Sequence, residues 1–222
     1  MDFFASLPPQ EAPPRPVRQR SPVWTRPSPN VLPAPIPGDS LLIHSPAAAV
    51  SIDGLRVYPN ALAFTLHVLY RGGRDLRVRR PGGPSPFRIA GLPRDDPASA
   101  NRDLRLGVLY ADGRRAIPEF RTPHTPRGRE PEAPVMRTLS GHGSEDEWAQ
   151  GFYIWGLPAE GPITLVYQWL DQEAPETRHE IDGDAVRAAA DRIVVLWDDG
   201  EEDEDADGSN GSDAKAQADR PE

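Results

Sequence analysis

Proline is the residue that most constrains how this chain can fold, since 27 of its 222 residues are proline. Eleven prolines lie within residues 1–39, where they remove backbone donors and hold their neighbours in extended conformations. We therefore expect residues 1–39 to form a disordered, unpacked arm. Residues 198–222 hold eleven acidic side chains against Lys215 and Arg220, so we expect a disordered acidic tail there. Removal of either extension is expected to leave stability unchanged.

The segment between these extensions, residues 40–197, is predicted to be the folded domain. Its apolar residues recur with the period of two that is typical of half-buried strands, most clearly at residues 62–70. Asp112-Gly113 is a strong signal for a tight turn between two strands. The alternation predicts three antiparallel hairpins, over 50–70 with a turn or bulge at Asp53-Gly54, over 104–117, and over the aromatic segment 148–169.

The rest of the domain holds one expected helix and two long connections. The helix is predicted over 185–192 with Asp184 as its N-cap, and the run 193–197 is expected to close the domain as a buried strand or at the sandwich edge. Residues 74–103 and 121–145 are expected to be loops. Hairpins without strand–helix–strand alternation indicate a mainly β fold, an antiparallel two-sheet β-sandwich with one short C-terminal helix and disordered N- and C-terminal extensions.

Several segments of the domain look familiar. They are SIDGLRVYPNALAFTLHVLY at 51–70, LGVLYADGRR at 106–115, FYIWGLPAEGPITLVYQW at 152–169, PETR at 175–178 and the run 188–197. These segments resemble a family of actinobacterial β-rich proteins with no assigned activity. The resemblance covers the domain and neither extension, and it implies a bacterial, cytoplasmic protein. It brings no catalytic residue with it.

Several classes of chemistry are excluded or disfavoured by residue type. The chain has no cysteine, which excludes disulfides, thiolate nucleophiles, iron–sulfur clusters and cysteine zinc sites. His142 and Glu145 have a helical spacing, but they lie among glycines before a strand, so a polar loop is favoured over a metal site. No nucleophile elbow or phosphate-binding loop is found. We therefore expect no catalytic residue, no metal and no cofactor.

The best candidate for contact with an anionic partner is a run of five arginines within ten residues, here called the Arg loop. It consists of Arg71, Arg74, Arg77, Arg79 and Arg80. Guanidinium groups hold phosphates and carboxylates in bidentate pairs, although a solvated loop is the simpler interpretation. Nucleic acid is disfavoured as a partner, because no aromatic residue interleaves the loop and the chain has a net charge of −9.

The tryptophans, Trp148, Trp155, Trp169 and Trp197, are expected to fill the core rather than to stack on sugar rings. We predict a non-catalytic β-sandwich interaction module that binds a protein or anionic partner. Two alternatives stay open, a hydrolase with a site assembled from the long loops and a carbohydrate-binding module. No export signal or membrane-spanning apolar run is seen, so we expect a cytoplasmic protein with no membrane partner.

Overall fold

The computed structural model describes residues 21–73, 85–87, 103–119 and 130–197. Within them the chain is mainly β, with three antiparallel sheets and the helix α1 (Gly183–Ala190). None of the helices in this part of the chain is both long and apolar enough to span a bilayer. The strands are β1 (Val31–Leu32), β2 (Ala34–Pro35), β3 (Ser40–His44), β4 (Ala48–Tyr58), β5 (Ala61–Tyr70), β6 (Arg105–Tyr110), β7 (Arg115–Ala116), β8 (Val135–Gly143), β9 (Glu147–Trp155), β10 (Ile163–Trp169), β11 (Ala174–Ile181) and β12 (Val194–Val195).

The largest sheet has six strands in the order β2-β4-β5-β9-β8, with β3 also paired to β4. The predicted pairing of the first two long strands is confirmed, since β4 and β5 are antiparallel neighbours. The expected irregularity at Asp53-Gly54 is a bulge, because the register shifts between Asp53 and Arg56 and Gly54 has a φ of 62°. The extra residue shifts the alternation of β4 by one position, so that odd-numbered Leu55 and Val57 are buried in the same core as even-numbered Ile52 before the bulge.

The second sheet has four strands in the order β11-β10-β6-β7. The hairpin predicted over 104–117 is confirmed, since β6 and β7 pair around Asp112-Gly113 and the amide of Gly113 donates to the carbonyl of Tyr110. The hairpin predicted over 148–169 is wrong. Its two strands belong to different sheets, with β9 between β5 and β8 and with β10 between β6 and β11.

The turn between β4 and β5 contacts the chain where it leaves the six-stranded sheet after β9. The carbonyl of Asn60 accepts a hydrogen bond from the amide of Gly156 at 2.9 Å. The side-chain oxygen of Asn60 accepts from the amide of Leu157 at 3.0 Å. These bonds fix the chain just after β9 to the turn between β4 and β5. Residues 157–162 then lead into β10 of the other sheet.

One continuous hydrophobic cluster contains buried side chains from both large sheets. The ring of Phe152 lies near its centre, 5.5 Å from the ring of Phe64 in a stacked pair and 5.2 Å from the ring of Phe87 edge-on. Between the two sheets, the rings of Tyr70 and Trp169 are 6.1 Å apart and perpendicular. The hydroxyl of Tyr167 in β10 also donates to the carbonyl of Leu42 in β3. Most of the buried apolar surface therefore lies in one core.

A second, smaller cluster covers the opposite face of the six-stranded sheet near the start of β5. It contains Ala61, Val135, Tyr153 and Trp155. The ring of Trp24 packs edge-on against Trp155 at 6.1 Å, and the hydroxyl of Tyr153 donates to the carbonyl of Val23 at 2.8 Å. The proline-rich segment before β1 thus contributes a side chain to the packed interior.

The expected unpacked arm over residues 1–39 is therefore wrong for residues 21–39, while residues 1–20 and the predicted acidic tail 198–222 lie outside the described residues. β1 pairs with β12, β2 pairs with β4, and Ala34 and Ile36 are buried. These segments are short edge strands, and proline is tolerated on a sheet edge that needs no donor. The prediction of an unpacked arm rested on the proline content and overlooked the apolar residues between the prolines.

Other expectations for the second half of the chain also differ from the structure. The helix begins two residues early, because Asp182 is the N-cap and its side chain accepts from the amides of Asp184 and Ala185. The run 193–197 is not a buried strand, since Val194 to Trp197 are all exposed and β12 pairs only with β1 among the described strands. The predicted loop over 121–145 contains β8, whose polar second half gives no alternation.

Phe64 tests the core. We expect Phe64→Ala to lower the free energy of unfolding by about 3–5 kcal/mol, because the ring is fully buried and stacked on Phe152. Leu69→Ala is the matched control on the same strand, where the side chain is 50% exposed, and should cost about 0.5 kcal/mol or less. Urea titration of both variants measures the difference. Equal losses would contradict the placement of Phe64.

Trp24 tests the packing of the N-terminal segment. We expect Trp24→Ala to lower the free energy of unfolding by about 1–2 kcal/mol, because it removes the aromatic contact to Trp155 and uncovers the second cluster. Val23→Ala keeps the carbonyl that binds Tyr153 and removes only exposed methyl groups, so it should be nearly neutral. A Trp24→Ala variant as stable as the wild type in urea would show that this segment adds nothing.

Candidate functional site

A groove of about 1320 Å³ lies on the outer face of the four-stranded sheet, and we call it the sheet groove. Alternation along β6 sends Leu106 and Val108 into the core and leaves Gly107 and Leu109 on the groove side. Val166 of β10 lies directly beside Gly107 in the register. The floor of the groove is therefore apolar, and at Gly107 no side chain rises above the backbone.

The walls of the sheet groove come from the segments on either side of the gap in the described chain. Residues 115–119 form one part of the wall, and residues 130–137 form another. The charged side chains that line the groove are evenly divided by sign. They are Arg105, Arg115, Arg137 and Arg178, and Glu119, Glu130, Glu132 and Glu176. The described lining thus carries both signs on an apolar floor.

Three neighbouring strands place two of these arginines close to Gln168, which also lines the groove. Gln168 of β10 is the register partner of Arg105 in β6, and Arg105 Nη1 donates to Gln168 Oε1 at 3.2 Å. Arg178 of β11 is the partner of Val166, one step along the same face. A guanidinium group on each strand beside β10 and the amide of Gln168 on β10 itself therefore lie next to the floor of the groove.

An ion pair fixes the wall on the β8 side. The guanidinium of Arg137 is almost fully enclosed, with 6% of its side chain exposed, and its Nη1 lies 3.2 Å from Glu119 Oε2. The amide of Glu119 also donates to the carbonyl of Met136 at 3.2 Å. The ion pair and the backbone hydrogen bond therefore join the segment after β7 to β8, which are the two parts of the wall.

The predicted Arg loop falls mostly outside the described residues. Arg74, Arg77, Arg79 and Arg80 lie there, so their contact with an anionic partner stays a prediction. Arg71 is described and exposed, and its amide donates to the carbonyl of Ala47 at 2.8 Å just beyond β5. The structure does not place it in the sheet groove.

Sequence reasoning missed the groove residues Arg105, Gln168 and Arg178. The alternation along β10 did separate Val166 and Gln168 from the aromatic face of that strand. What it could not supply was the pairing of β10 with β6 and β11, which brings these residues together. Single arginines on separate strands give no local motif, so no signal short of the sheet order would have found them.

A histidine and a carboxylate meet on the outer face of the six-stranded sheet. His67 Nε2 lies 3.0 Å from Asp53 Oδ2, and Ser51 is directly opposite His67 in the register of β4 and β5. No hydrogen bond between Ser51 and His67 is found among the described contacts. In this part of the chain no group of three or more metal-ligating side chains converges either. His142 and Glu145 lie at the exposed end of β8 and beyond it.

The tryptophans divide into two groups. Trp148, Trp155 and Trp169 are buried, as expected of core residues. Trp197 is 64% exposed, so the expectation that it fills the core is wrong. Because a sugar-binding platform needs an accessible ring face, the three buried rings are not available for one.

Two buried tyrosines have raised pKa values for the same reason but differ in their hydrogen bonds. Burial raises the pKa of both Tyr110 and Tyr153 above the ordinary value of 10.0. The hydroxyl of Tyr153 donates to Val23, whereas the buried hydroxyl of Tyr110 has no hydrogen-bond partner among the described residues. The guanidinium of Arg114 lies 5.5 Å from the centre of the Tyr110 ring. Tyr110 therefore serves the core through its ring rather than through its hydroxyl.

Phenylalanine substitutions at these two positions should have opposite effects. Tyr110→Phe removes an unsatisfied buried hydroxyl, so we expect the free energy of unfolding at pH 7 to rise by about 1 kcal/mol. Tyr153→Phe removes a made hydrogen bond, so we expect a loss of about 1 kcal/mol. Urea titration separates the two, and changes of the same sign would contradict the difference in bonding.

The same variants test the raised pKa values. An unfolded tyrosine ionises near pH 10 while the buried one stays neutral, so stability is complete below pH 10 and falls as the pH rises above it. Each substitution should make the fall in melting temperature between pH 9 and pH 11 smaller than in the wild type. An unchanged fall in both variants would show that other groups govern alkaline unfolding.

Comparisons of the chain with protein-family models, with curated proteins and with solved structures find no match. The resemblance to a family of actinobacterial β-rich proteins therefore stays a prediction. The function has to be inferred from the geometry of the sheet groove and of the surfaces around it.

Proposed function

We propose that this protein is a non-catalytic interaction module built as an antiparallel β-sandwich, with the four-stranded and six-stranded sheets as its two layers. The support for two layers is the shared core, together with the contacts of Trp169 and Tyr167 in one sheet with Tyr70 and Leu42 in the other. This architecture leaves the outer face of the four-stranded sheet available for a ligand. We keep a cytoplasmic location as part of the same proposal.

The ligand that fits the sheet groove best is a polypeptide segment with charged groups of both signs. The observation that carries this proposal is the combination of an apolar floor with four arginines and four glutamates around it. Glu119 is already paired with Arg137, and the other three glutamates oppose a polyanion such as nucleic acid, whereas a peptide that pairs its carboxylates with Arg105 and Arg178 and its cations with Glu130 and Glu176 would be complementary. The groove also exceeds the roughly 300–1,000 Å³ that is usual for small-molecule sites.

The other functions receive less support from the described residues. A carbohydrate-binding module would use exposed aromatic rings, and three of the four candidate tryptophans are in the core. The hydrolase alternative places its site in the long loops, and residues 74–84, 88–102 and 121–129 of those loops lie outside the described residues, so it stays a prediction. Among the described residues, binding of a polypeptide accounts for more of the structure than a carbohydrate-binding module does.

The groove is tested by selecting peptides from a random library on the full chain. Affinities of the selected peptides are then measured on two charge-matched variants, Val166→Arg, which fills the floor of the groove, and Leu69→Arg, on the exposed face of the other sheet. We expect a class of peptides that loses tenfold or more in affinity to Val166→Arg and keeps its affinity to Leu69→Arg. The melting temperatures of both variants confirm that the fold is intact.

The result that contradicts the proposal is equally definite. If no selected peptide distinguishes Val166→Arg from Leu69→Arg, the sheet groove is not a peptide site. Gln168→Ala offers a milder second variant, because it removes the amide that holds Arg105 without adding bulk or charge. Peptides of the groove class should also weaken on this variant.

A further inference from the structure

The strand β11 lies at one end of the four-stranded sheet and leaves one of its two edges open. It pairs with β10 on one side, and no described strand pairs with the other side. In an antiparallel pair every second residue directs its amide and carbonyl away from the partner, so an edge strand carries a row of groups that can pair with another chain. Among the described residues, no backbone hydrogen bond from outside β10 reaches residues 176–180.

Two other edges among the described strands are less suited to a new strand. β7, at the far end of the same sheet, is only two residues long. β8 is interrupted by an irregularity between Thr138 and Gly141. β11, by contrast, has a regular register with β10 from Thr177 to Ile181. Because short and bulged edges resist pairing, β11 is the best suited of the three.

Charged side chains alternate in sign along the groove face of β11. Glu176 and Arg178 line the sheet groove, and Glu180 follows Arg178 on the same face by the period of two. All three side chains are exposed. Opposite charges on directly facing residues of neighbouring strands stabilise the pairing, and like charges oppose it. The edge therefore favours a strand with a cation, a carboxylate and a cation at alternate positions.

A second copy of this chain fits the edge poorly. Full antiparallel overlap of two β11 strands would place Arg178 opposite itself and Glu176 opposite Glu180, so all three positions would face a like charge. Charged residues on edge strands commonly prevent this kind of self-association. A separate segment, in contrast, can face all three positions with the opposite charge.

We propose that the free edge of β11 binds an extended polypeptide segment as an additional strand, with basic, acidic and basic side chains opposite Glu180, Arg178 and Glu176. Main-chain hydrogen bonds hold a segment of this kind, and its alternate side chains select it. The inference deepens the proposed function and rests on it, because the charged side chains of the segment would lie along the rim of the sheet groove. It names the class of polypeptide that the groove receives.

The test measures the binding of labelled seven-residue peptides to the full chain by fluorescence anisotropy. The matched probe has threonine at its odd positions and lysine, glutamate and lysine between them. The reversed probe has glutamate, lysine and glutamate in their place. Both probes have capped ends, so that only their side chains differ in charge. We expect the matched probe to bind about tenfold more tightly than the reversed probe, because three facing charges change sign.

A charge-reversed protein assigns that preference to β11. The triple variant Glu176→Lys, Arg178→Glu and Glu180→Lys should invert the preference, so that the reversed probe binds more tightly. Glu147→Lys is the matched control, because it makes the same change in net charge at an exposed position of β9 and should keep the order of the two probes. All of these side chains are exposed, so the melting temperatures should stay close to that of the wild type.

Methylation of the probe backbone separates strand addition from charge pairing alone. In an added antiparallel strand only every second amide of the probe donates to the edge. Two methylated forms of the matched probe are compared, one with N-methyl groups on its charged residues and one with them on its threonines. We expect one form to lose binding and the other to keep it.

Four results would overturn the proposal. They are no preference of the wild type for the matched probe, a triple variant that keeps the wild-type preference, equal binding of the two methylated forms, and a wild-type dimer in light scattering that Arg178→Glu dissociates. The last result would assign the edge to a second copy. The sheet groove is judged by the selected peptides on Val166→Arg, so failure of the β11 edge is distinguishable from failure of the groove.

Discussion

The position of β5 between two long antiparallel partners is the constraint on which the rest of the molecule depends. Every residue from Ala61 to Leu69 has a partner in β9, and β4 matches the other side except opposite Phe64, where the bulge at Gly54 lies. A shift of one residue would exchange the two faces of the strand and move its apolar side chains out of the core. This register therefore decides which side chains of β5 enter the core and which enter the second cluster beside Trp24.

Local patterns in the sequence predicted single strands and tight turns, which are formed by residues close together in the chain. Strict alternation located β5, and the Asp-Gly pair located the turn between β6 and β7. The same reasoning joined β9 to β10 as a hairpin, because alternating aromatic strands around a proline-rich turn look alike whether or not they pair. In the structure β9 is paired on both sides, with β5 and with β8, so neither of its edges is left for β10, and these partners are not its neighbours at the turn after β9.

The candidate sites were beyond sequence reasoning for the same physical reason. The sheet groove gathers Arg105, Gln168 and Arg178 from three strands, and only the order of those strands makes them neighbours. The run 193–197 was expected to be a buried strand or to lie at the sandwich edge, and a β-branched run cannot show by itself whether other residues are left to cover it. The Arg loop, by contrast, is a local cluster that begins just after β5, so it could be predicted from the sequence.

The pairing of β1 with β12 has a consequence for how the chain is made. Its two strands lie at opposite ends of the described sequence, so on a ribosome the first emerges about 160 residues before its partner. At ordinary translation rates of about 5–20 residues per second, the first strand waits roughly 10–30 s for that partner. The strands of the two large sheets all precede β12 in the chain, so they emerge before the pairing of β1 with β12 can form.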